Sequence, residues 1–295
     1  MTTDLVYLNG EFLPLEEARV PVLDRGFIFG DGVYEVIPCY GGHLFRIDEH
    51  LERLQKSLDG IRLDNPLSRA EWKAILRRLV ESAPARDQSL YLQVTRGVAS
   101  RDHAFPEGTP PTVFAMSKPL QPPSAEMLER GIKAVTLPDI RWNCCHIKAI
   151  SLLPNVLLRQ QALEAGADEA ILLRDGEATE GAASNLFIVH DGNLMTPPKD
   201  HRLLPGITRD LVVELARKTG IPCQERAIPE PLLRDAEEIW LTSSTKEILP
   251  VTRLDGKPVG NGEPGDTWRR MHRAYQQYKQ RLRAGEEKGE RHDDQ

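Results

Sequence analysis

A chain of 295 residues is long for one simple core and suits two domains of ordinary size. Its 38 basic and 44 acidic residues leave a formal charge of -6, which speaks against nucleic acid or an anionic membrane as partner, and no apolar run is long enough to span a bilayer. Met1 to Leu5 lacks the basic and apolar regions of a signal peptide, and Cys39, Cys144, Cys145 and Cys223 show no disulfide spacing, so the expected setting is a reducing cytoplasm.

In chain order, Leu5 to Phe12 alternates around Asn9-Gly10 and predicts a hairpin. The block from Val20 to Val36 follows, with Gly26, Gly30 and Gly32 marking a backbone that turns sharply or admits a close neighbour. Periodicity there gives a loop feeding a strand, and on that basis Tyr34 is a cross-strand aromatic. Ile47, Leu51, Leu54 and Leu58 define one helix face; Arg53 lies off it, where a solvated side chain is the ordinary reading. Ser68 and Glu71 form a capping box ahead of Trp72, Ile75, Leu76, Leu79 and Val80. A strand from Ser89 to Gly97 leads into a loop holding Arg101 and His103. Two cation-capable side chains so spaced can grip a carboxylate, although an ordinary polar loop reads the same way.

Proline-rich Lys118 to Ser124 is the best domain boundary. The predicted division is an N-terminal α/β domain over 1–120, a linker over 121–128, a C-terminal α/β domain over 129–283 and a disordered tail over 284–295. A short helix, Ala125 to Gly131, overlaps the end of that linker. Next comes Lys148, in the run Cys144-Cys145-His146-Ile147-Lys148, ahead of an amphipathic helix with Leu152, Leu153, Val156, Leu157, Gln160 and Leu163 in register. Adjacent cysteines share a tetrahedral site poorly and no second pair stands at zinc spacing, so no metal is expected. A strand, Glu169 to Leu173, then precedes Thr179-Glu180-Gly181-Ala182-Ala183-Ser184-Asn185 and a further strand, Leu186 to Val189. A lysine before an apolar helix and a carboxylate after a strand is the pattern a pyridoxal phosphate site needs. The amine forms a Schiff base with the aldehyde, and the carboxylate keeps the pyridine nitrogen protonated so that the ring draws electrons. Gly206-Ile207-Thr208 opens a helix, a general anion-binding arrangement, and the strand from Glu238 runs into Ser243-Ser244. A last helix carries Trp268, Met271, Tyr275, Tyr278 and Leu282 on one stripe, which reads as packing.

Lys148, Glu180-Gly181 and Ser184-Asn185, with the block from Arg25 to Glu35 and the run Glu49 to Arg53, resemble the fold-type IV pyridoxal phosphate enzymes. The likeness runs from about Tyr7 to Tyr278. That family holds the branched-chain and D-amino-acid aminotransferases and the aminodeoxychorismate lyases. The Arg101-x-His103 run, with Val94 to Gly97 before it and Phe105-Pro106 after, is similar to the D-amino-acid branch. The resemblance implies a two-domain α/β fold with pyridoxal 5'-phosphate in the interdomain cleft. It implies Lys148 as catalytic amine and Arg53, Glu180, Ser184, Asn185, Gly206, Ile207, Thr208, Ser243 and Ser244 as cofactor residues. Tyr34, Arg101 and His103 would bind the substrate carboxylate, with Glu35 beside Tyr34 and His50 structural. Amino acids and 2-oxo acids would be the substrates, D-alanine with 2-oxoglutarate foremost, and a homodimer the assembly. Ala182 and Ala183 depart from the serines common there. The alternatives are a branched-chain aminotransferase, a lyase of the same fold, or a non-catalytic binding protein.

Overall fold

The computed structural model describes residues 4–287. The described chain up to Leu120, Ile147–Ser151 and the described residues from Lys279 form one compact unit; Gln121–His146 and Leu152–Tyr278 form the other. Lys148 therefore groups with the first unit, not with the C-terminal domain that chain order suggests.

The first unit is built on a six-stranded antiparallel sheet of β1 (Leu5–Leu8), β2 (Glu11–Pro14), β3 (Gly32–Tyr40), β4 (His43–Leu44), β5 (Gln88–Thr95) and β6 (Thr112–Pro119), in the order β2-β1-β6-β5-β3-β4. The predicted hairpin is present: Asn9 and Gly10 both have positive φ, 49° and 101°, and Leu8 faces Glu11 across the turn. Helices α1 (Arg25–Phe29), α2 (Ile47–Gly60) and α3 (Arg69–Ser82) belong to this unit. The capping box of α3 is made: Ser68 Oγ accepts from Glu71 N, and Ser68 N donates to the Glu71 carboxylate at 2.7 Å.

The second unit opens with α4 (Ala125–Arg130), capped by Ser124 and packed through Met127 and Leu128 on the unit's core. Residues 121–124 before it form neither helix nor strand. Its ten-stranded sheet comprises β7 (Ile132–Pro138), β8 (Glu169–Arg174), β9 (Glu177–Gly181), β10 (Asn185–His190), β11 (Asn193–Thr196), β12 (Cys223–Glu225), β13 (Ile228–Pro229), β14 (Glu238–Ser243), β15 (Glu247–Leu254) and β16 (Lys257–Pro258). The order is β12-β11-β10-β14-β15-β7-β8-β9-β13, with β16 on β15; the β11–β12, β15–β7 and β7–β8 pairs are parallel. Continuous burial of Leu186 to Val189 in β10 is what a strand covered on both faces requires. Helices α5 (Leu153–Glu164), α6 (Ile207–Thr219), α7 (Glu230–Arg234) and α8 (Asp266–Arg283) complete the set, and the α8 aromatic stripe is buried.

Two expectations are corrected. In α5 it is Leu158 and Ala162 that pack inward, on Ala170, Leu172 and Ala182, whereas Leu153, Val156, Leu157 and Leu163 are exposed. The apolar stripe exists, but the described residues do not cover it. Of the tail, Ala284 to Glu287 is ordered by bonds back to Gln280, Arg281 and Leu282; 288–295 lies outside the described residues.

Candidate active site

In the first unit the lysine segment lies along β3. Tyr34 N donates to Lys148 O at 3.0 Å, Ile150 N donates to Gly32 O at 3.0 Å, and Lys148 N donates to Ser57 Oγ at 3.1 Å. Ile147 and Ala149 are buried on either side, so the half-buried Lys148 projects from a fixed backbone. Its Nζ stands 4.2 Å from the centroid of the Tyr34 ring, which also packs on Tyr91.

Successive β3 residues point to opposite faces, and Glu35, next to Tyr34, is fully buried. It does not sit open beside a substrate. Arg53 grips it with Nε and Nη2, each 2.7 Å from a carboxylate oxygen, and His50 Nδ1 donates to it at 2.8 Å. Burial pushes the Glu35 carboxyl up, but the charge and hydrogen bonds of Arg53 and the bond from His50 overcome this and lower it to about 2. Arg53, read from periodicity as solvated, is buried because Glu35 lies beneath it.

The loop with Arg101 and His103 is exposed but pinned. Arg25, which pairs with Asp31 at 2.8 Å, donates to the carbonyls of Asp102 and Ala104. Arg101 and His103 both lie against the Phe29 ring. Among the described residues no hydrogen bond, ion pair or ring contact joins either to Tyr34, so a single chain brings the lysine and Tyr34 together and the arginine and histidine together, as two separate groups.

In the second unit Glu180 is buried near the end of β9. Its Oε2 accepts from Asn185 Nδ2 at 3.0 Å, and Leu204 N donates to both oxygens at 3.1 and 3.2 Å. Arg141 Nη1 donates to Oε1. Arg141 is the residue the sequence reading passed over; its signal was Asp139-x-Arg141, a charged pair within one bend just ahead of the lysine segment. The chain turns tightly after Glu180: Gly181 N bonds Ser184 O at 2.6 Å, and a Cβ on Gly181 would stand 2.2 Å from Ser184 Oγ. At the start of α6 a Cβ on Gly206 would stand 1.9 Å from Asn185 Oδ1, so any other residue there would push the Asn185 amide aside. Ile207 and Thr208 form the first turn, and α6 packs on β14, whose last residue is Ser243, with Ser244 in the turn beyond.

This donor set fits a phosphorylated pyridine. Among the described residues, Thr208 Oγ1 and Ser184 Oγ are buried with no hydrogen-bond partner, an arrangement a fold tolerates where a ligand supplies the acceptor. A glycine-opened helix N-terminus suits the phosphate, and a buried carboxylate suits a protonated ring nitrogen.

The sequence model of the family described as Amino-transferase class IV matches residues 32–254. D-alanine aminotransferase of Bacillus licheniformis is 44% identical over 271 residues, covering 92% of this chain and 95% of that protein. The Staphylococcus haemolyticus D-alanine aminotransferase is 39% identical over 276 residues, covering 92% and 97%. Among solved structures, the Escherichia coli branched-chain amino acid aminotransferase superposes with a TM-score of 0.89 at 31% identity, covering 99% of this chain and 97% of that one. The branched-chain amino acid aminotransferase of T.th., solved with pyridoxamine 5'-phosphate, gives 0.90 at 26% identity, covering 96% of each.

Proposed function

The chain belongs to the class IV aminotransferases, and from that membership we propose that it uses pyridoxal 5'-phosphate to move the amino group of D-alanine to 2-oxoglutarate, giving pyruvate and D-glutamate. The observation that carries the D-amino-acid reading is the 44% identity to a D-alanine aminotransferase along nearly the whole chain. The Arg101-x-His103 run points the same way.

The bound cofactor supplies the electron sink that makes a Cα proton removable. Lys148 Nζ is the amine that anchors it. With the cofactor bound, Nζ would take the Cα proton as general base and return one as general acid. Glu180 would hold the ring nitrogen and keep it protonated. Arg53, Gly206, Ile207, Thr208, Ser243 and Ser244 bind the phosphate, while Ser184 and Asn185 line the ring end. Tyr34, Arg101 and His103 bind the substrate carboxylate and so select the face of Cα that meets Lys148. Pyruvate would leave before 2-oxoglutarate binds, giving ping-pong kinetics.

The second reading, exchange on L-branched-chain amino acids, is favoured by the solved structures to which the chain is similar. Titrating the loaded protein with D-alanine and, separately, L-leucine separates the two. Loss of the visible band of the bound cofactor with D-alanine alone is the expected result. Loss with L-leucine alone overturns the carboxylate-trap assignment.

The homodimer is supported by the bare apolar face of α5, where Leu153 is 69% and Val156 60% exposed. Substituting Leu157→Glu should convert a dimer to monomer in light scattering; an undisturbed dimer removes α5 from the interface. All four cysteines are free, which supports a cytoplasmic setting, and among the described residues no helix is long and apolar enough to cross a membrane.

A further inference from the structure

We propose that Arg141 is a positioning residue of the transamination: fixed by Asp139, it holds the Glu180 carboxylate ionised and oriented, and so sets how strongly the cofactor ring draws electrons from Cα. This rests on the reading of Glu180 as the carboxylate of the ring nitrogen.

The hydrogen bonds given to Glu180 come from donors alone: the Arg141 guanidinium, the Asn185 amide and the Leu204 backbone N–H. A protonated carboxyl needs an acceptor for its own hydrogen, and these neighbours supply none, so they match the ionised form. Burial works the other way and pushes the Glu180 carboxyl up to about 7, against the charge and hydrogen bond of Arg141. The balance is therefore close to neutrality, and the guanidinium in contact is the cation that tips it. Asp139 opposes that pull with its like charge, and the Cys145 thiol, itself raised by burial, lies near the same group. Arg202, from the loop that carries Leu204, turns its guanidinium to Glu177 and Asp200 instead.

Arg141 is in turn clamped. Its Nε and Nη2 each reach a different oxygen of Asp139 at 2.9 Å, Nη2 also donates to Arg202 O at 3.2 Å, and its backbone N–H bonds Asp139 Oδ1 at 3.1 Å. Arg174 also pairs with Asp139 Oδ2 at 3.0 Å, and Thr179 Oγ1 donates to the same oxygen at 3.3 Å. The result is a buried row of alternating charge, Arg174, Asp139, Arg141 and Glu180. A protonated ring nitrogen would extend that row by one more opposite charge. Two members, Arg174 and Glu180, lie on the hairpin of β8 and β9, and Asp139 and Arg141 follow β7 directly, so the row is set by the sheet.

The test is to substitute Arg141→Met in the full chain. The fraction of protonated Glu180 is followed by infrared difference spectroscopy against pH in protein freed of cofactor, its carboxyl band assigned by loss in Glu180→Gln. The midpoint should rise by about one to two pH units, as loss of a contacting opposite charge requires. Arg141→Lys, which keeps the charge, should restore most of it. In the loaded enzyme kcat and kcat/KM for D-alanine should fall together about tenfold, because the interaction acts on the reacting state. An unmoved midpoint, or a fall in kcat without a midpoint shift, reduces Arg141 to a structural tie and overturns the proposal. Arg141→Gln, which keeps volume and a donor, reads the same midpoint should the methionine variant not fold. Failure of the parent reading looks different: wild-type protein given pyridoxal phosphate would show no visible band, while the infrared titration would still report the coupling of Arg141 and Glu180.

Discussion

Replacing Lys148 with alanine should lower kcat for the exchange between D-alanine and 2-oxoglutarate by about a thousandfold or more, since a positioned general base and acid contributes roughly 10²–10⁴-fold and the anchoring amine goes with it. The fold should survive. Tyr34 N, Ile150 N and Ser57 Oγ hold this segment by its backbone, and alanine keeps every one of those bonds. The side-chain loss is the approach of Nζ to the Tyr34 ring, worth about 0.5–1 kcal/mol at a partly exposed site. Steady-state rates set beside thermal melting separate the two effects. A variant that melts like wild type but turns over slowly places the lysine in the chemistry. Turnover near the wild-type rate removes Lys148 from it, whatever the melting curve shows.

Several elements were legible because they rest on local patterns. Asn9-Gly10 turns the first hairpin, Ser68 and Glu71 cap α3, and the unbroken apolar run in β10 marks a strand covered on both faces. What was not legible depends on partners far along the chain. Arg53 stands off the apolar stripe of α2, yet it is buried because Glu35, on β3, faces it. Arg141 was passed over because the carboxylate it holds lies 39 residues on. The stripe of α5 is apolar as read, but Leu153, Val156, Leu157 and Leu163 face outward. Periodicity shows that a helix has an oily face, not whether the same chain supplies its cover. Leu158 and Ala162, off that stripe, make the inward contact because β8 runs beneath them.

Glu35→Gln should destabilise the protein by about 3–5 kcal/mol at neutral pH, the cost of breaking a buried ion pair from one side. Arg53 would keep its charge in a buried place where its bidentate partner now offers a single oxygen. The pH dependence carries the sharper test. Glu35 is lowered to about 2 in the folded chain from an ordinary 4.5, so its contribution is fully present above the ordinary value and fades as pH falls toward 2. The gap between wild type and variant in urea unfolding should thus be wide at pH 7 and narrow at pH 3. His50, held below its ordinary value by burial, adds an acid loss of its own as it is forced to protonate, but glutamine leaves that residue in place in both proteins. A gap of equal width at both pH values would mean that the ion pair is not the source of the stability. Cofactor affinity then decides what the pair is for. Arg53 pinned by Glu35 presents its guanidinium in one orientation, and a phosphate anchor needs that orientation more than it needs the charge alone. If the variant loses pyridoxal phosphate affinity in step with stability, Glu35 is the residue that aims the anchor. If affinity stands while stability falls, Arg53 holds β3 to α2 and the phosphate is held without it.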